Sequence, residues 1–65
     1  MPSSVVAAMN YDRESATLTI IFVSGMVYAY KNVPEKIYQA MKIADSKGTY
    51  LNRHVKGNFD FEKLR

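Results

Sequence analysis

The chain has 65 residues, a net charge of +3 and no cysteine. That length admits a single domain over 1–65, which buries only about 60% of its unfolded surface and is marginally stable. Disulfides and thiolate metal sites are excluded, and the one histidine, His54, cannot hold a structural zinc alone. With no covalent or metal staple, a homo-oligomer is expected, without a metal or cofactor. The lack of cysteine fits a reducing cytoplasm. The start, MPSSVVAAMNYD, lacks a basic run and a long apolar run, so no signal peptide is expected. The most apolar stretch, LTIIFV, is far shorter than the roughly 18 to 20 residues that span a bilayer. A cytoplasmic protein with no membrane contact is expected.

Val5 to Tyr11 reads as a first strand. Asp12-Arg13-Glu14-Ser15 is a polar turn. From Ala16 to Val23, Leu18, Ile20 and Phe22 alternate with Thr17, Thr19 and Ile21, which is a strand with one apolar face. Ser24-Gly25 is a turn, and Met26 to Lys31 is a third strand. Short polar turns between consecutive strands predict an antiparallel meander. The period then changes. Ile37, Ala40, Met41 and Ala44 recur at helical spacing, so a helix is predicted over Pro34 to Ala44. Asn32, three residues before Glu35, suits a capping box. Ser46 suits the cap of a second, shorter helix with Leu51 and Val55 inward, ended by Gly57 in a left-handed turn. The tail NFDFEKLR alternates Phe59 and Phe61 with charges, and is expected to run extended against the body or a neighbouring subunit. The predicted fold is α+β, a three-stranded antiparallel meander followed by two short helices packed on one face.

The hairpin between the second and third strands decides where Tyr28 and Tyr30 point. A two-residue Ser24-Gly25 loop would put both on the Thr17, Thr19, Ile21 face. A three-residue loop, Val23-Ser24-Gly25, with Gly25 left-handed, would set Ile20 opposite Tyr28 and Leu18 opposite Tyr30. A slip of one residue inverts the outcome. Glycine as the last loop residue favours the longer loop. The tyrosines are then core first, with their hydroxyl edges at a pocket mouth, or they are structural alone.

The residues in order also carry a resemblance. Ser3-Ser4, Val6 and Met9 before Tyr11-Asp12, the L-x-I-x-F of Leu18 to Phe22, Ser24-Gly25, Tyr28-x-Tyr30 and Val33-Pro34 are followed by Ala44-Asp45-Ser46-Lys47-Gly48 and Tyr50-Leu51-Asn52. The chain resembles the KTSC domain family over nearly its whole length. That family is named for a C-terminal segment of some lysyl-tRNA synthetases and also occurs as small separate proteins. The resemblance implies RNA binding as a suggested role and attaches no catalytic activity.

Charge and hydroxyls converge after the first helix. Residues 1–30 carry Arg13 against Asp12 and Glu14, while residues 31–65 carry eight Lys and Arg against four Asp and Glu. The second half therefore attracts anions, or serves solubility alone. A helix beginning at Ser46 presents unpaired N–H groups. Ser46 and Thr49 add hydroxyls, Lys47 a charge and Gly48 room for close approach. Arg53 can pair phosphate oxygens, Asn52 can read a base edge, and Tyr50 can stack on a base beside these charges. The bland alternative is a capped helix corner with an amphipathic rim residue. His54 reads as a solvated surface residue. No serine–histidine–acid pattern, glycine-rich phosphate loop or metal cluster is present, so no enzyme is expected.

Three partner classes follow. One is a nucleotide-type small molecule, such as a cyclic dinucleotide, sequestered by an oligomeric sponge as phage anti-defence proteins do. The second is RNA, either tRNA or a single strand. The third is a protein docking on the aromatic tail.

Overall fold

The computed structural model describes residues 6–65. Strands β1 (Val6–Asp12), β2 (Thr17–Phe22) and β3 (Val27–Tyr30) lead into helix α1 (Glu35–Lys42) and helix α2 (Lys47–Tyr50). Helix α2 continues as a π-helical turn over Leu51–Val55, and β4 (Phe61–Lys63) closes the chain. The fold is α+β, with one antiparallel sheet in the order β1-β2-β3-β4. No helix among the described residues is long and apolar enough to cross a membrane. The expected start of β1 at Val5 lies outside the described residues.

The sheet has four strands where three were expected. The tail pairs with β3 of its own chain, Tyr28 opposite Lys63 and Tyr30 opposite Phe61. Lys31 N–H donates to the Asp60 carbonyl at 2.7 Å, and Leu64 N–H to the Val27 carbonyl at 2.7 Å, so the ladder extends past both ends of β4. The Lys31 ammonium lies 3.6 Å from the Glu62 carboxylate. Three residues, two of them charged, look unlike a strand, yet charge is how a sheet edge avoids pairing with a second chain.

The hairpin takes the three-residue loop. Leu18 faces Tyr30 and Ile20 faces Tyr28. Phe22 N–H donates to the Met26 carbonyl at 2.9 Å, and Gly25 turns the chain at φ 96°. Every second residue of β2 and β3 is thereby sent under the helices. Leu18, Ile20, Tyr30, Val33, Met41, Leu51 and Val55 form the buried core. Tyr11 closes one side, its hydroxyl donating to the Val33 carbonyl at 2.6 Å and its ring stacked on Tyr38 at 5.2 Å.

Helix α1 is shorter than predicted and is capped differently. Pro34 holds the N-cap position and no side chain caps the helix. Asn32 lies at φ 57°, a left-handed turn that asparagine tolerates, so it stands two residues too early for a capping box. Glu35 instead pairs with Arg13 at 2.8 Å. The second helix begins as predicted. Thr49 N–H donates to Ser46 Oγ at 3.2 Å, and the Ser46 hydroxyl donates to Thr49 Oγ1 at 3.0 Å. Its last turn widens, with Lys56 N–H donating to the Leu51 carbonyl at 2.8 Å, and Gly57 ends it at φ 82°.

Candidate ligand-binding groove

The sheet and the second helix diverge at the hairpin end and leave a half-open groove of about 560 Å³. One wall is aromatic. Phe22 meets Tyr28 edge-on at 5.5 Å, and Tyr28 and Tyr30 stack with centroids 6.4 Å apart. Phe61 lies 5.3 Å from Tyr28 and 5.7 Å from Tyr30. These four rings share a face because of the hairpin register and because β4 sets Phe61 opposite Tyr30. The facing wall is Gly48, Leu51 and Asn52, with Lys56 and Gly57 at the helix end and Ser24 and Met26 at the hairpin rim. Gly48, Asn52 and Lys56 follow one another at intervals of four, so one helical face supplies them. The π-helical turn falls among these residues, a distortion that recurs at functional sites.

The groove is apolar with sparse polarity of one sign. Among the described residues that line it, Lys56 is the only charged one. Neither Tyr28 nor Tyr30 offers its hydroxyl to a protein partner among the described residues, and no side-chain polar atom there is both sealed and unpartnered. Both hydroxyls are therefore free to bond to a ligand. Burial, and next to it the neighbouring Tyr28, push the Tyr30 phenol above its ordinary value, so it stays a neutral donor. Groups of these kinds can stack flat rings, exchange a few hydrogen bonds and attract an anion. Among the described residues no group of acidic, histidine or cysteine side chains is placed to hold a metal ion.

Of the nine site residues picked from the sequence, Tyr28, Tyr30, Gly48 and Asn52 come together here. Ser46, Lys47, Thr49, Tyr50 and Arg53 do not line the groove. Ser46 and Thr49 are engaged with one another as the helix cap. The Tyr50 ring packs on His54 at 4.4 Å. Phe22, Lys56 and Phe61 were missed. Phe22 follows from the longer hairpin loop, and Lys56 from its spacing of four beyond Asn52. Phe61 required knowing that the tail joins the sheet.

The KTSC domain model matches residues 2–59. A lysine–tRNA ligase from Nostoc punctiforme is 43% identical over 61 residues, which cover 94% of this chain and 11% of that protein. The chain thus spans about a tenth of the length of the first curated relatives it matches. A protein of Stutzerimonas stutzeri is 38% identical over 56 residues, covering 86% of this chain and 79% of the relative. The crystal structure of a KTSC domain protein from Yersinia pestis superposes with a TM-score of 0.86 at 32% identity, covering 100% of this chain and 94% of the other. With a family match over most of its length and a relative of its own size and fold, this chain belongs to the KTSC domain family.

Proposed function

We propose that this chain is a binding protein, not a catalyst, for a ligand that carries a flat ring and a phosphate, most concretely a nucleotide signal of the cyclic kind that it sequesters. One observation carries the reading: the rings of Phe22, Tyr28 and Phe61 line one groove together with an ammonium, Lys56, while Tyr30 backs them from the core. Aromatic faces hold bases whatever their identity, while a lysine neutralises phosphate as a point charge. Asn52 and the Tyr28 and Tyr30 hydroxyls supply the orienting hydrogen bonds. Among the described residues no carboxylate or imidazole lines the groove, and the non-catalytic reading rests on that lack of the commonest acid–base groups. The groove is half-open, and the reading includes a second copy that closes it. It also places the protein in the cytoplasm, where nucleotides are abundant and a cysteine-free chain has no need of oxidation.

The test is to heat-denature the purified protein and chromatograph what it releases, with light scattering for mass. A released nucleotide and an oligomeric mass support the reading. A monomer that releases none, and gains no thermal stability from any mononucleotide or dinucleotide, contradicts it.

RNA is the second reading. It is favoured by similarity to a segment of proteins whose name says that they act on tRNA, and by the +4 balance of residues 31–65. An RNA grip predicts a steep loss of affinity with salt as many counterions are released, while a small nucleotide predicts a shallow one.

A further inference from the structure

A second cavity, of about 330 Å³, adjoins the groove. Gly57 and Phe61 line both, so the two cavities are one track divided by a saddle. The track follows β3, and Tyr28 to Lys31 covers about 10 Å of extended chain. Resting on the nucleotide reading above, we infer that the track holds two nucleoside units joined by a phosphodiester, with one base in each cavity and the linkage crossing the saddle.

Charge and shape carry this. Among the described residues lining the first cavity, only Lys56 is charged. The second has Lys31 and Asp60, with Glu62 3.6 Å from the Lys31 ammonium, so one cation stands against two carboxylates. A phosphate gains nothing there. A neutral base suits it, because Asn32 and Asn58 bring amide groups and Phe59 and Phe61 bring ring faces. The saddle is clear. A β-carbon on Gly57 would meet nothing within 4 Å, so a backbone can pass over it, next to Lys56. Phe61, 57% exposed between the cavities, offers its ring to both.

The experiment is calorimetric titration of the full chain with AMP and UMP, then with the dinucleotides ApA and UpU, and then with a single-stranded RNA of several nucleotides. The expected result is at least tenfold tighter binding of a dinucleotide than of the matching mononucleotide. Gly57→Asn keeps the left-handed turn, which asparagine tolerates, but puts a side chain on the saddle. It should remove the dinucleotide advantage, so that dinucleotide and matching mononucleotide bind within about twofold of one another, with an unchanged circular dichroism spectrum as the folding control. Equal affinity for one and two units overturns the inference and leaves the one-nucleotide reading standing. No binding by any probe overturns both. RNA binding that exceeds the dinucleotide and falls steeply with salt overturns the inference in favour of the RNA reading, because a two-unit track with one uncompensated ammonium releases few counterions. RNA no tighter than the dinucleotide supports the two-unit track with a free dinucleotide as the source.

Discussion

The ring of Phe61 lies 5.3 Å from that of Tyr28, although 33 positions separate them in the chain. The contact exists because the tail pairs with β3 in a register that sets Phe61 opposite Tyr30. It turns a pair of core tyrosines into one side of a groove. Phe61 itself is 57% exposed, so its ring contributes more to the groove than to the core.

Phe61→Ala should therefore separate binding from stability. Loss of its ring contacts costs about 1 kcal/mol of folding free energy, since much of its surface is already in water. Loss of a stacking face costs about 1–3 kcal/mol of nucleotide binding, roughly 5- to 150-fold in affinity. Urea denaturation and calorimetry on the same variant check both numbers.

Met41→Ala tests the core beneath. Met41 is fully buried between α1 and the sheet. The truncation should cost about 2–5 kcal/mol. A domain of this size holds roughly 3–10 kcal/mol in all, at ~0.05–0.15 per residue. The variant should be largely unfolded at room temperature, or melt far below the parent, as read by far-ultraviolet circular dichroism.

Ser46→Ala distinguishes a helix cap from a phosphate ligand. Ser46 Oγ accepts the Thr49 N–H at 3.2 Å. Its removal should lower stability by about 1 kcal/mol. Because Ser46 is not among the groove residues, nucleotide affinity should stay within about twofold of the parent, whereas Lys56→Ala should weaken it and flatten its salt dependence.

Tyr30 links stability to alkaline pH. Its phenol is raised above the ordinary value of 10.0 by burial and then by Tyr28. A group with a raised folded value contributes stability that is fully present below its unfolded value and lost as pH rises through the folded one. Stability should therefore be level up to about pH 10 and decline above it. Tyr30→Phe should remove that part of the decline, measured by urea midpoints across the alkaline range.

Much of this architecture was legible in the residues. The Leu18, Ile20, Phe22 alternation defined β2, and Gly25 as the last loop residue chose the register that buries Tyr30. Ser46 and Gly57 marked both ends of the second helix. Two features were hidden for physical reasons. β4 has too few residues to show a period and carries the charges of an edge strand, so only its pairing partner reveals it. Asn32 satisfies the spacing of a capping box, but Pro34 fixes the backbone into which the helix starts, and the asparagine is used for a left-handed turn. The site shifted for a related reason. The helix start at Ser46 looked like an anion site on composition, whereas the concavity forms one face away, on the Gly48, Asn52, Lys56 row that only the packing against the tyrosines makes concave.

The most direct test of the groove is nuclear magnetic resonance of the isotopically labelled chain during titration with AMP. The account predicts that shifts concentrate on Tyr28, Asn52, Lys56, Gly57 and Phe61 and saturate together. Shifts centred on Ser46 to Tyr50, or on the outer sheet face at Thr17, Thr19 and Ala29, would contradict it, as would a spectrum that AMP leaves unchanged.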